Sequence, residues 1–133
     1  MSQEAKETKK QEFTQAQAVR AHGALEKLYN QDIPSTEAFD VYMMMQKLEP
    51  IATFQQDQRR KIIADMKPKI ENKGRTFNFG TTERLKEYQE RIRKLEEMPA
   101  DIDIKPIEVR LTPSLYIAGA DIAALKGFIN FVK

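Results

Sequence analysis

Apolar side chains recur at steps of three and four residues in three separate stretches of the chain. The three sets are Ala18, Ala21, Leu25 and Leu28; Val41, Met45, Leu48 and Ala52; and Leu85, Tyr88, Ile92 and Leu95. This spacing places each set along one side of an α-helix, and each apolar side needs a partner that covers it. The pattern therefore predicts three amphipathic helices, with Leu25 and Leu48 buried where the first two pack together.

The first two helices are predicted to fold back on each other as an antiparallel hairpin. We place them at residues 11–29 and 36–67, with Ser35 as the N-cap of the second because its hydroxyl can accept from the first turn. The connection between them, residues 30–34, includes Pro34. Because a connection this short joins antiparallel helices, the second helix should pack alongside the first. The hairpin is thus the predicted scaffold of the molecule.

Pro50 lies in the middle of the second predicted helix. A proline there removes one backbone donor and clashes with the carbonyl of Gln46, so the segment is either one kinked helix or two helices that meet near Glu49. The apolar positions keep the same phase on both sides of the proline, and Glu49 is a poor N-cap. We therefore favour one kinked helix, about 48 Å long.

The segment after the hairpin predicts a strand followed by a third helix. Residues 72–74 carry the turn signal Asn-Lys-Gly, and residues 75–79 then alternate between polar and apolar positions as a short strand does. Thr82 opens a helix that reaches residue 97, where Pro99 ends it.

The C-terminal segment predicts short strands and a final helix. Residues 102–109 read as extended, with Pro106 breaking the alternation, and residues 114–117 are a further strand candidate. Asp121 is the expected cap of a last helix. Its predicted apolar positions are Ile122, Leu125, Phe128 and Ile129.

The predicted fold class is α+β and mainly helical. It comprises a long antiparallel helical hairpin, a third helix along it, a small C-terminal sheet and a terminal helix. Residues 1–9 are polar and predicted to be a disordered tail, because they offer little to bury. Residues 10–133 are predicted to form a single domain.

Composition excludes several classes of chemistry and bears on location. The chain has no Cys and one His, so there is no disulfide framework, thiolate metal site or thiol nucleophile. We see no apolar run long enough to span a membrane and no apolar core of a secretory signal near the start. We therefore expect a cytoplasmic protein, in the host cell if a phage encodes it, with a place in the virion as the alternative.

Candidate catalytic or metal-binding residues are few. His22 stands alone, and Asp101 and Asp103 alternate with Ile102 and Ile104 as a solvated side of a strand does. No Gly-rich phosphate loop and no seryl-hydrolase motif is present. The sequence therefore predicts a protein that is not an enzyme and that uses no cofactor and no metal.

The charge is unevenly distributed although its total is only +2. Residues 59–75 hold seven basic and two acidic residues, and Phe77 and Phe79 follow at once. Cations that contact phosphate beside aromatics that can stack on bases are typical of nucleic-acid binding, whereas the ordinary interpretation is a solvated face beside core aromatics. The candidate nucleic-acid contacts are Arg59, Arg60, Lys61, Lys67, Lys69, Lys73 and Arg75.

Three consecutive methionines, residues 43–45, lie on the second predicted helix. Helical spacing allows only one or two of them to face the hairpin partner, and methionine suits adaptable contact surfaces. We therefore predict that Met43 or Met44 stays partly exposed and contacts a protein partner, which includes a second copy of this chain. A second buried interface within the domain is the alternative.

Several short segments together resemble a known group of proteins. They are residues 24–28 (ALEKL), Ile33-Pro34, Leu48-Glu49, Glu87-Tyr88, residues 95–97 (LEE), residues 101–104 (DIDI), residues 119–125 (GADIAAL) and Phe128-Ile129. From about Ala18 onward this layout resembles short proteins encoded by tailed phages and prophages. In that group the turn after the second helix is often Gly-rich and acidic, whereas here it carries Lys67, Lys69 and Lys73.

The resemblance implies no catalytic residues. It implies a phage accessory protein that acts by protein–protein interaction, either in control of a host or phage protein or in virion assembly. The alternative from the residues themselves is a nucleic-acid-binding module that uses residues 59–79.

Overall fold

The computed structural model describes residues 12–133, and the tail predicted for residues 1–9 lies outside them. The first helix, α1 (Gln15–Tyr29), begins with a capping box at Thr14. The Thr14 hydroxyl accepts from the backbone N–H of Gln17, and the Gln17 side chain accepts from the Thr14 N–H. All four predicted core positions of α1 are buried, as the spacing required. The predicted start at residue 11 was four residues early, because the Thr-x-x-Gln cap was overlooked.

The second helix, α2 (Ser35–Met66), is continuous over 32 residues and contains Pro50. The one-helix interpretation is therefore correct and the two-helix alternative is wrong. Both Pro50 and Gln46 are exposed, so water can reach the carbonyl that loses its helical donor. Pro34 rather than Ser35 occupies the N-cap, and α2 ends at Lys67 in the left-handed conformation with φ 49°.

The first two helices form the predicted antiparallel hairpin. At one end the rings of Tyr29 and Tyr42 lie 6.0 Å apart between centroids. At the other end the side chain of Gln55 donates to Gln15 Oε1 over 2.7 Å. The end of α1 therefore lies beside the first part of α2, and the start of α1 lies beside a later part of α2, which is the antiparallel arrangement. Leu25, Val41 and Leu48 are fully buried in the core between them.

The predicted face of α2 was only partly correct. Met45 and Ala52 are half-buried, and Met44 takes a core position instead. The reason is that α2 packs against the C-terminal sheet as well as α1, so its buried side is wider than one partner helix requires.

A β-hairpin follows α2 and leads into the third helix. Strand β1 (Lys69–Glu71) pairs antiparallel with β2 (Thr76–Asn78), and Ile70 lies opposite Phe77. The strand predicted at 75–79 is thus present, while its partner β1 was not foreseen. Helix α3 (Thr82–Glu96) is capped by the Thr81 hydroxyl.

Helix α3 packs through its C-terminal half. Leu95 is buried, whereas Leu85, which the pattern assigned to the same apolar side, is exposed. A second group of buried side chains joins the end of α2 to α3, and the ring of Phe79 stacks on Tyr88 at 4.6 Å. The group consists of Ile62, Met66, Phe79 and Leu95.

The C-terminal segment forms a strand–helix–strand unit. Strand β3 (Ile107–Arg110) pairs parallel with β4 (Ile129–Val132), and α4 (Gly119–Ala124) lies on the connection and packs against α1. The fold is therefore mainly helical α+β, with two small two-stranded sheets among the described residues.

Three predictions for this segment were wrong. Residues 114–117 form no strand. Asp121 is not a cap: Ala118 takes the N-cap position, and the Asp121 carboxylate pairs with Lys27 Nζ at 3.4 Å. Phe128 and Ile129 are not helical, because α4 ends at Ala124 and Gly127, with φ 87°, turns the chain into β4.

Candidate interaction surfaces

The predicted basic segment divides into paired and unpaired cations. Arg59 pairs with Glu96 of α3 at 2.7 Å, and Arg60 pairs with Asp57 at 3.4 Å within α2. A second pair, Arg91 with Asp65 at 2.8 Å, also joins α3 to α2. Arg59 therefore bridges α2 and α3, and both arginines already have a carboxylate partner that competes with phosphate.

The remaining predicted cations gather around the β1–β2 hairpin, apart from Lys61, which is exposed on α2. We call residues 67–80 the basic hairpin. This segment has four basic residues and one acidic residue, Glu71, for a net charge of +3. The four, which are exposed and form no ion pair with any residue from 12 to 133, are Lys67, Lys69, Lys73 and Arg75.

The basic hairpin also displays an apolar pair. Ile70 is 62% exposed and lies directly across the ladder from Phe77, which is 40% exposed. Opposed residues of a ladder point to the same face, so the two side chains form one apolar spot between the cations. Of the two predicted aromatics, Phe77 is available for contact, whereas Phe79 is buried against Tyr88.

A second exposed apolar surface runs along α2. At 100° per residue, Phe39, Met43, Pro50 and Phe54 lie within about 60° of one another, on the side opposite the buried Val41 and Leu48. We call these four residues the α2 stripe. Phe39 is 62% and Met43 is 51% exposed, and Tyr42 lies next to them.

The two methionines proposed as partner contacts have different positions. Met43 belongs to the α2 stripe, as the sequence predicted for one of the pair. Met44 is only 6% exposed and lies in the core, so it is removed from the candidate contacts. Phe39 and Phe54 were missed, although apolar residues at spacings of 4, 7 and 4 along a helix are the signal that would have found them.

Acidic residues surround the α2 stripe. Residues 35–57 hold four acidic residues and one basic residue. Asp40, Glu49 and Asp57 lie in or beside the α2 stripe, whereas Glu37 lies on the buried side of α2 and accepts from the backbone N–H of Arg110. Asp57 pairs with Arg60. The basic residue, Lys47, donates through Nζ to the backbone carbonyl of Asp103 at 3.0 Å. Asp40 and Glu49 form no ion pair within the described part of the chain.

The candidate catalytic residues do not converge. His22 contacts Glu26 one turn later, with 3.3 Å between Nδ1 and Oε1, and it lines a groove between α1 and α2. Asp101 and Asp103 are exposed on a loop, while Ile102 and Ile104 pack against the core. Over residues 12–133, no three His, Asp or Glu side chains come together as a metal site.

The perturbed ionisable groups lie away from both surfaces. On α3, hydrogen bonds from the Arg93 guanidinium hold the pKa of the Glu90 carboxyl below its ordinary range, and the hydrogen bonds that Arg93 donates to Glu90 and Glu97 raise the pKa of Arg93. These are contacts between neighbouring turns of one helix.

No family model matches this chain, and neither the curated proteins nor the solved structures compared with it gave a match. Among the described helices, none has both the length and the apolar character needed to cross a membrane.

Proposed function

We propose that this protein is a non-enzymatic binding protein that acts by contact with another protein through the α2 stripe. The observation that supports this most is a helix with apolar residues on two opposite sides, of which only one faces the core. Burial of large apolar side chains favours association, and clustered exposed ones mark interaction surfaces. Within residues 12–133, Phe39 and Met43 keep more than half of their surface exposed.

The charge around the α2 stripe specifies the chemistry of the partner. Because the carboxylates of Asp40 and Glu49 flank the α2 stripe and form no ion pair within residues 12–133, a partner segment with apolar side chains flanked by Lys or Arg fits best. An acidic or phosphate-rich partner is disfavoured by like-charge repulsion at Asp40 and Glu49.

The biological role that we propose follows the resemblance to short tailed-phage proteins. It is that of a phage accessory protein, in control of a host or phage protein or in virion assembly. Both roles require a binding surface and neither requires a catalytic centre.

The alternative function, nucleic-acid binding by residues 59–79, now depends on the basic hairpin and Lys61. Arg59 and Arg60 are used in ion pairs, which leaves Phe77, Lys61 and the hairpin cations to contact a strand. Such binding would weaken steeply with salt.

Selection from a displayed library of random peptides on the immobilised full chain tests the proposed function. Enriched peptides are then titrated against Phe39→Asp and Met43→Asp. We expect apolar residues flanked by Lys or Arg in the peptides, and affinities at least about tenfold weaker for both variants, since the new carboxylate is desolvated on binding.

Tyr116→Asp is the matched control, because Tyr116 is 80% exposed on the loop between β3 and α4. Peptide affinity should be unchanged in this variant. Enriched peptides that bind Met43→Asp as tightly as the original chain would show that the α2 stripe is not the binding surface.

A further inference from the structure

We infer that the partner of the α2 stripe is a second copy of this chain, which docks through its basic hairpin. The inference rests on the proposed function and names the occupant of the same surface. The hairpin provides the chemistry that the stripe requires, namely the apolar pair Ile70 and Phe77 flanked by four cations. The charges are also complementary, because residues 67–80 carry +3 and the carboxylates of Asp40 and Glu49, unpaired within residues 12–133, flank the α2 stripe.

The two surfaces of one molecule cannot meet each other. Both are held by α2, which is continuous from Ser35 to Met66. From Phe54, the last residue of the α2 stripe, to Lys67, the first of the basic hairpin, the helix extends about 20 Å. The hairpin follows the helix end directly, so each α2 stripe is free to receive only the hairpin of another molecule.

An interface between two different patches of the same chain is heterologous. After one such contact the bound pair still offers one free α2 stripe and one free basic hairpin, on different molecules, so association continues until a ring closes or a filament grows. Association that rises with concentration is therefore expected, and the smallest closed ring is a two-fold dimer in which each α2 stripe receives the basic hairpin of the other molecule.

The exposed side chains of the basic hairpin fit a protein partner better than a nucleic acid. The most exposed apolar side chain of the ladder is Ile70, which has no aromatic face to stack on a base. A two-stranded hairpin is marginally stable by itself, and docking its apolar face on a helix supplies the missing packing. Five of the seven predicted cations, Lys61 and the four of the basic hairpin, form no ion pair within residues 12–133, and the 119 residues outside the basic hairpin carry a net negative charge.

Charge exchange between the two surfaces tests this inference. One double variant, Lys69→Glu with Lys73→Glu, makes the hairpin acidic; the other, Asp40→Lys with Glu49→Lys, makes the stripe basic. The molar mass of each is measured by sedimentation and light scattering up to about 500 μM, because small interfaces bind weakly. Circular dichroism checks that each variant folds.

We expect the unmodified chain to associate with rising concentration, and less so at high salt. Each double variant alone should stay monomeric at concentrations at least tenfold above those at which the unmodified chain associates. An equimolar mixture of the two should associate again, because each altered surface then meets a complementary one. Lys86→Glu with Lys126→Glu, an equal charge change at exposed sites elsewhere, should behave as the unmodified chain does.

The Asp40→Lys and Glu49→Lys changes keep the inference falsifiable if the acidic hairpin fails to fold, since lysine is well tolerated on an exposed helix face. A monomeric unmodified chain at about 500 μM would overturn the inference, as would a mixture that fails to associate. Oligonucleotide binding that needs Lys69 and Lys73, without self-association, would overturn it in favour of nucleic acid. If peptide selection still identifies the α2 stripe while the chain stays monomeric, the proposed function stands and only the second copy is excluded.

Discussion

At the scale of single residues, Gln55 has an unusual position for a polar side chain. It is 2% exposed, and its amide donates to Gln15 Oε1 of α1 and to the backbone carbonyl of Leu95 at the end of α3, over 2.7 and 2.9 Å. One amide group therefore links three helices. When the Gln55 amide is removed by substitution, Gln15 Oε1 and the Leu95 carbonyl each lose a donor. The contribution of the amide to the free energy of unfolding can therefore be measured.

Gln55→Leu keeps the side-chain size and removes both hydrogen bonds. We expect it to lower the free energy of unfolding by about 1–3 kcal/mol, since the buried Leu95 carbonyl loses its side-chain donor. Urea denaturation measures this. Gln56→Leu, at the next and exposed position of α2, is the control and should change stability little. Equal stabilities of the two variants would contradict the proposed role of the amide.

The two leucines predicted from the periodicity provide a second test at this scale. Leu25 and Leu48 are both 0% exposed, so Leu25→Ala and Leu48→Ala should each cost roughly 2–5 kcal/mol. Leu85→Ala, on the exposed side of α3, should cost far less. Thermal melting compares the three, and an unchanged midpoint for Leu25→Ala would mean that the hairpin core is packed differently.

At the scale of elements, the C-terminus of α2 is capped by a side chain from α3. Helix α2 has no basic residue in its last turn. Arg84 donates instead to the backbone carbonyl of Met66, and also to that of Phe79 at 3.0 Å. A cation at a helix C-terminus is favourable, and here it also fixes the basic hairpin between the two helices.

Arg84→Met removes both hydrogen bonds and keeps most of the apolar stem. We expect amide hydrogen exchange in α3 to become faster, because the free energy of local opening falls by about 1.5–3 kcal/mol, while α1 keeps its protection. Lys86→Met, an exposed substitution on the same helix, should leave both unchanged. Unaltered exchange in α3 would show that Arg84 does not stabilise this junction.

The elements also show where sequence patterns fail. The three- and four-residue spacing predicted α1 and the continuity of α2, because periodicity over many residues is a strong signal. Phe128 and Ile129 were assigned to a helix although Ile129 begins β4, since a short apolar run fits either structure and its partner β3 lies some twenty residues away. Strand β1 has three residues, two of them charged, and is defined only by its pairing with β2.

At the scale of the whole molecule, α2 serves two separate cores. Its first part contributes Val41 and Leu48 to the core shared with α1 and the C-terminal unit, and its last part contributes Ile62 and Met66 to the second. The candidate surfaces follow from this division. The sequence indicated Met43 and the cations of the basic hairpin. The ion pair of Arg59 with Glu96 depends on how α3 returns along α2 and is invisible to local patterns, whereas the pair of Arg60 with Asp57 has an i, i+3 spacing that the sequence could have shown.

The parallel pairing of β3 with β4 determines the order in which the two cores can close during synthesis. The first core contains Phe128 and Ile129, so its side chains cannot all be in contact until the chain has been made through β4. The second core needs nothing beyond Leu95. The far end of α2 can therefore complete its packing before the C-terminal unit, which covers the core shared by α1 and α2, has been made.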